Sequence, residues 1–452
     1  MTLTQEEMNN YTVILHEELI PAMGCTEPIA IAYAAAKAKS LFKGDLERFT
    51  VNCSGNIIKN VKGVTVPNSG GQKGIPAAAA LGIVGGDSDK ALEVIAGVTD
   101  EDREACRNLV ERDICEVTLA EGVANLYIDV TLYGRDHMAE VIIDGTHTNI
   151  VKMVQDGTVL LDRTGTAQGA GSKGKGDRTR MTFQGLIEYA RTVDLEAVKA
   201  LLETQMTYNT AISDEGLTGA WGAEVGRTLL ETYGSDVKFR AVARAAAGSD
   251  ARMSGCPKPV VINSGSGNQG ITVSLPVITY AEAWKKSHDE TLRALIVSNL
   301  VSIYIKHYIG PLSAFCGAVS ASTGAGAAIT FMATGGDARK MAMTVTNTLA
   351  NVGGILCDGA KPSCAAKIAS SLQAALMAHA MSMKERVFKG GEGIVEKDIE
   401  DTIRNIGYIG KIGMKGTDTD ILNVMIGQID PKDYGLLRGS EEASFREPSF
   451  FF

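Results

Sequence analysis

Phe315-Cys316-Gly317-Ala318 and Cys357-Asp358-Gly359-Ala360-Lys361-Pro362-Ser363-Cys364 bracket the stretch, from about Pro311 to Lys367, around which the chain is organised. The sequence between them is rich in Ala, Gly, Ser and Thr and carries almost no charge. Small side chains at a contact let helices approach closely, so the stretch predicts packed interior helices. Cys357 and Cys364 straddle a turn containing Gly359 and Pro362. From Tyr308 to Gly336 there is no charged residue and no histidine, a run long enough to cross a bilayer. Yet it contains Pro311, is dominated by small residues rather than Leu, Ile, Val and Phe, and lacks a flanking Lys/Arg cluster. Buried interior of a soluble helical domain is the expectation, and no membrane association.

Around this stretch, helical periodicity runs from Thr182 to Met383. It marks helices at Phe183–Thr192, Leu195–Met206, Trp221–Tyr233, Val237–Ala247, Tyr280–Tyr308, Ala338–Ala350 and Ala365–Met383. Upstream, Leu46 to Leu161 is β-rich. Short β-branched runs lie at Phe49–Cys53, Glu116–Leu119, Leu126–Leu132, Met138–Ile143 and Ile150–Leu161, the last with an Asp156-Gly157 hairpin signal. Helices at Ile75–Ile83 and Asp100–Arg112 interrupt it. At the N-terminus, a helix over Gln5–Ile20 stops at Pro21, and a second runs from Thr26, a good N-cap, to Leu41 with Pro28 in its first turn.

The expected fold is α+β. It consists of N-terminal helices (1–45) packing on the catalytic domain, an antiparallel-sheet α+β domain (46–180), a mostly helical domain (181–430) and a tail (431–452) that ends in an uninterpreted Phe450-Phe451-Phe452.

Hydrophobic content of 45% with 21% charged residues is that of an ordinary soluble protein. A net charge of −9 disfavours nucleic acid or anionic lipid as the main partner. The one short basic segment, Lys173 to Arg180, reads as a solvated loop. Residues Met1 to Asn10 show no targeting signal, which makes the cytoplasm the default compartment. There, eight cysteines are not a disulfide framework, and those grouped near glycines are candidates for metal binding or catalysis. Cys53, Cys106, Cys115 and Cys256 look structural.

Cys25 sits just before a helix N-terminus, where the positive end of the dipole favours the thiolate. Two glycine-rich turns echo each other: Val66-Pro67-Asn68-Ser69-Gly70-Gly71-Gln72 and Val261-Ile262-Asn263-Ser264-Gly265-Ser266-Gly267-Asn268-Gln269. Successive glycines with Asn and Ser can present several N–H groups to one anion. Asn68, Ser69, Asn263, Ser264, Gly265, Asn268 and Gln269 are therefore expected to bind a substrate carboxylate.

For Cys316, Cys357 and Cys364, thiolate ligation of an iron–sulfur cluster is chemically natural. Zinc would want four tight Cys or His ligands, and the Cys-x6-Cys spacing lacks its usual knuckle. A dithiol redox pair would more often show C-x-x-C. Spacing alone leaves three unrelated buried cysteines open.

Gly24-Cys25-Thr26-Glu27-Pro28, the Asn263–Gly270 loop, Cys316-Gly317 and the Cys357–Cys364 segment together resemble the L-cysteine desulfidase family. That family is similar over its C-terminal region to the α domain of iron–sulfur L-serine dehydratases. The resemblance extends from about Gln5 to Asp420. It implies an oxygen-sensitive [4Fe-4S] cluster on Cys316, Cys357 and Cys364, with no pyridoxal phosphate. It further implies α,β-elimination of L-cysteine to sulfide, ammonia and pyruvate, with an open iron as Lewis acid. An L-serine ammonia-lyase is the alternative.

Cys25 maps onto the family's additional active-site cysteine, and whether it is the α-proton base or an iron ligand stays open. Lys361 is the second candidate base, and Thr26 and Glu27 are candidate substrate-binding residues. The expected partner is a small amino acid, and a homodimer is compatible with this picture.

Overall fold

The computed structural model describes residues 2–164 and 176–429. The terminal tail and Lys173, at the start of the basic segment, lie outside the described residues.

The first part of the chain builds β1 (Pro21–Met23), β2 (Arg48–Cys53), β3 (Cys115–Leu119), β4 (Tyr127–Tyr133), β5 (Met138–Asp144), β6 (Ile150–Gln155) and β7 (Thr158–Asp162). With them come helices α1 (Gln5–Glu18), α2 (Thr26–Leu41), α3 (Gly55–Val61), α4 (Gly74–Gly85) and α5 (Asp100–Glu111). One six-stranded sheet has the order β3-β2-β4-β5-β6-β7. Its central strands alternate as half-buried strands do, with Ile128, Val130 and Leu132 of β4 and Ala139, Val141 and Ile143 of β5 buried. The sheet is mixed rather than purely antiparallel, because β3 runs parallel to β2 at one edge. A parallel neighbour needs a long crossover, and α3, α4 and α5 lie between the two strands in sequence. The Asp156-Gly157 signal forms the β6–β7 turn, with both residues at positive φ.

The second part holds α6 (Phe183–Thr192), α7 (Lys199–Thr218), α8 (Val225–Tyr233), α9 (Val237–Met253), β8 (Pro259–Val261), α10 (Gly267–Ala283), α11 (His288–Ile309) and α12 (Gly317–Thr334). It continues with α13 (Ala338–Val352), α14 (Cys364–Met383), α15 (Ile399–Tyr408) and α16 (Lys415–Met425). The small-residue run forms α12, buried along nearly its whole length. Contact with α11 is so close that a Cβ on Gly324 would lie 2.3 Å from the Ser298 carbonyl oxygen. Among the described residues no helix is long and apolar enough to cross a membrane.

The expected helix over Tyr280–Tyr308 is two helices. Lys285 turns into the left-handed region, and Ser287 starts α11 with a capping box to Glu290.

Short contacts join the parts around the site. β1 pairs antiparallel with β8, Pro21 opposite Val261 and Met23 opposite Pro259. The Lys59–Asp418 ion pair ties α3 to α16.

Candidate functional site

A cavity of about 980 Å³ lies between the two parts of the chain. The sheet-bearing part lines it with Cys25, Glu27, Asn56, Lys59, Asn60 and His147, and the helical part with Arg252, Ser264, Gly265, Asn268, Gln269, Lys306, Cys316, Cys357 and Cys364.

Three thiols share one wall. The Phe315–Leu356 bridge, with Cys316 N–H donating to the Ile355 carbonyl and Cys357 N–H to that of Ala314, holds Cys316 and Cys357 side by side. Cys316 is the N-cap of α12 and Cys364 the first residue of α14. Burial, reinforced by Cys357, pushes the Cys316 thiol up to about 12, and burial likewise raises Cys364. Such thiols stay protonated until a cation replaces the proton.

No three His, Cys, Asp or Glu side chains form a site for one metal ion among the described residues. Cluster thiolates bind separate irons, so the three-thiol wall fits an iron–sulfur group by its donor chemistry. Lys306 is buried beside these thiols; desolvation lowers it to about 8, against the opposing pull of Cys357 and Cys316.

Other residues of the lining are polar. Asn263 and Ser266 exchange backbone hydrogen bonds across Ser264 and Gly265, both at positive φ, as in a two-residue hairpin. Thr26 Oγ1 donates to the Gly265 carbonyl at 2.9 Å, which accounts for Cys25 rather than Thr26 occupying the N-cap of α2. Glu27 accepts from Cys25 Sγ at 3.1 Å and from Asn60 Nδ2 at 3.0 Å, and Thr26 Oγ1, whose one proton is directed to Gly265, lies 3.1 Å from it. Burial alone would raise the Glu27 carboxyl, but His147, the Cys25 thiol and Arg252 bring it below its ordinary value. Burial and the adjacent Glu27 push the Cys25 thiol well up. That is the reverse of the expected thiolate, because desolvation outweighs the helix dipole.

Arg252 is 2% exposed and its Nε has no hydrogen-bond partner. It lies flat against Gly267, where a Cβ would come within 2.3 Å of that nitrogen. Gln269 lies against Gly317, beside the proposed ligand Cys316, and its Oε1 is also unpartnered, as is Asn268 Oδ1.

Several expected site residues face elsewhere. The Asn68 side chain is held by the Ile95 carbonyl and Arg103, and Ser69 by Gln72, outside the cavity lining. Their turn is a structural knot. Asn263, fully buried, spends its amide on Asn299, Ser302 and Ser264, and so shapes the hairpin from beneath. Lys361 pairs with Asp358 and is not among the lining residues.

His147, Arg252, Lys306 and Asn60 were not anticipated. Arg252 and Lys306 carried no distinct signal, since α9 also holds Lys238, Arg240 and Arg244, and α11 also holds Arg293 and His307. His147 had none, because only the β5–β6 connection brings it here.

Such a fold and cavity define a class: an α+β protein whose cavity is lined by three thiols and a buried guanidinium. The serine dehydratase alpha-chain family model matches residues 89–423. A UPF0597 protein of Desulfitobacterium hafniense is 49% identical over 418 residues, 92% of this chain and 96% of the relative. One from Finegoldia magna is 47% identical over 421 residues, 93% and 100% of the two chains. A third, from Bacteroides fragilis, is 39% identical over 430 residues, 94% and 99%. The chain belongs to the serine dehydratase alpha-chain family, related to the α domain of the iron–sulfur serine dehydratases.

Proposed function

We propose that this chain is a [4Fe-4S]-dependent lyase that eliminates sulfide from L-cysteine, leaving pyruvate and ammonia. One observation carries this reading: a buried Arg252 whose Nε lacks a hydrogen-bond partner and three cysteine thiols line the same cavity. A buried guanidinium N–H without an acceptor is costly, and the guanidinium matches a carboxylate in a two-pronged fashion. Cys316, Cys357 and Cys364 are the proposed cluster ligands, and the cluster would supply a Lewis acid for the leaving group.

The chain's own groups do the rest. Arg252 takes the substrate carboxylate and, with Asn268 and Gln269, orients the amino acid. Glu27, fixed by Asn60 and Thr26, holds the Cys25 thiol in place as a neutral donor. Lys306 offsets negative charge at the thiol wall. Pyridoxal phosphate has no role in this scheme.

L-serine is the second reading, favoured by the family description, with hydroxide as the leaving group in place of hydrosulfide. Anaerobically purified protein is given L-cysteine and L-serine separately, and sulfide and pyruvate are measured. Sulfide from cysteine at a kcat/KM at least tenfold above that for pyruvate from serine supports the desulfidase. The reverse ratio supports the dehydratase, and neither product from either substrate defeats both.

A further inference from the structure

Asn268 and Gln269 are consecutive residues in the first turn of α10, and both line the cavity. Gln269 is 5% exposed, and its Oε1 is buried without a hydrogen-bond partner, as is Asn268 Oδ1. A buried amide oxygen that accepts nothing is costly, and a ligand that brings donors removes the cost. Gly267, directly before them, is the residue against which Arg252 lies. Two unmatched acceptors therefore stand beside an unmatched donor, Arg252 Nε. An α-amino acid carries the complement on a single carbon: a carboxylate that only accepts and an ammonium that only donates.

Resting on the lyase reading above, we propose that the side-chain oxygens of Asn268 and Gln269 form the subsite for the substrate's α-ammonium group, so that α10 selects α-amino acids over acids that lack the amine.

This reassigns two residues that the sequence marks for the carboxylate. An anion held by the amide NH2 groups would leave both oxygens unmatched, whereas an ammonium satisfies them. The charge count agrees. A zwitterion adds no net charge to the site: Arg252 meets its carboxylate, and neutral amides meet its ammonium without leaving a buried carboxylate unpaired when the site is empty. Gln269 is held for this task by Gly317, where a Cβ would lie 2.7 Å from its Cδ. A site built to hydrogen-bond an N–H group rejects the analogue lacking it far more strongly than an apolar pocket rejects a missing methylene.

The test is calorimetric binding to full-length protein purified without air. The ligands are L-alanine, which has no leaving group at Cβ, and propionate, which also lacks the amine. Wild type should bind L-alanine at least tenfold more tightly than propionate. Gln269→Leu and Asn268→Leu should each weaken L-alanine by about 10- to 100-fold, the range for a charge-assisted hydrogen bond, and leave propionate within threefold. Gln269→Glu and Asn268→Asp decide the sign, because a carboxylate accepts from an ammonium but repels a ligand's carboxylate. Each should hold L-alanine within threefold of wild type or bind it more tightly.

Equal affinity for the two ligands in wild type, or none for either, overturns the proposal. So do Leu variants that spare L-alanine or weaken both ligands alike, and acidic variants that weaken L-alanine as far as the Leu variants do. Iron is counted in every variant. If one position loses it, the other decides; loss at both overturns the proposal, because the amides then hold the thiol wall instead. The lyase reading fails separately, when wild type consumes neither cysteine nor serine, since L-alanine binding needs no turnover.

Discussion

Thr26 Oγ1 donates to the carbonyl of Gly265 at 2.9 Å across 239 residues of sequence. This bond, together with the β1–β8 pairing, fixes the Cys25–Glu27 corner of α2 against the hairpin that opens α10. Removing it should loosen the polar wall without touching the thiols. Thr26→Val is expected to cost ~1–2 kcal/mol of stability, the range for a buried hydrogen bond that leaves its acceptor unpaired. Urea unfolding of wild type and variant, with iron content measured alongside, checks this: stability falls while iron stays at the wild-type value.

Arg252 is the proposed carboxylate anchor, so its loss should appear in substrate binding. Arg252→Gln should raise KM by about 10- to 100-fold, in line with loss of a charge-assisted hydrogen bond of roughly 1.5–3 kcal/mol. Arg252→Lys should recover only part of this, because an ammonium lacks the planar fork. Steady-state kinetics on cysteine for both variants checks the order, wild type below Lys below Gln in KM.

Gly24 directs the chain into the site. Its φ is +55, and a Cβ there would lie 1.8 Å from Cγ of the rigid Pro67 ring. The Asn68-Ser69 turn thus supports the site by wedging Pro67 under Gly24, while lying outside the cavity lining. Gly24→Ala should cost at least ~2 kcal/mol from overpacking and a strained φ, read as a lower Tm than that of a surface Gly→Ala control such as Gly63→Ala, whose Cβ would meet nothing within 4 Å.

Asp250 gives a pH signature outside the site. Burial raises its carboxyl to about 6, despite N–H donors at the start of α8 including Gly226. A carboxyl raised in the folded state binds its proton more tightly there than in the unfolded chain. Its contribution is therefore fully present below pH ~4 and is lost as pH rises through about 6. Asp250→Asn should abolish that loss. Between pH 4 and 7, urea unfolding should show wild type falling relative to the variant by on the order of 1–3 kcal/mol.

Much of the fold was legible because local pattern and global packing agree. The β-branched runs from Arg48 to Asp162 became strands within a residue or two of their expected ends. Phe183–Thr192 is a helix with both ends as expected. The misreadings have physical causes. A parallel edge strand cannot be told from an antiparallel one by its own side-chain alternation. The break at Lys285 depends on a capping box inside an otherwise apolar run.

At the site, the Asn263–Gln269 and Cys316/Cys357/Cys364 segments announced themselves through unusual composition. The sequence echo between Asn68-Ser69 and Asn263-Ser264 was misleading, since similar turns were placed at different depths. Asn263 is fully buried beneath the hairpin, and Asn68 lies outside the cavity lining. His147 and Arg252 acquire meaning only from the cavity's three-dimensional closure.

The central claim is a cluster held by Cys316, Cys357 and Cys364. Iron and acid-labile sulfide counted per chain, in protein purified anaerobically as wild type and as Cys316→Ala, test it most directly. The account predicts about four of each in wild type, with both sharply reduced in C316A. Wild-type protein that is free of iron yet fully active, or a C316A variant that retains the full complement of iron and sulfide, would contradict it.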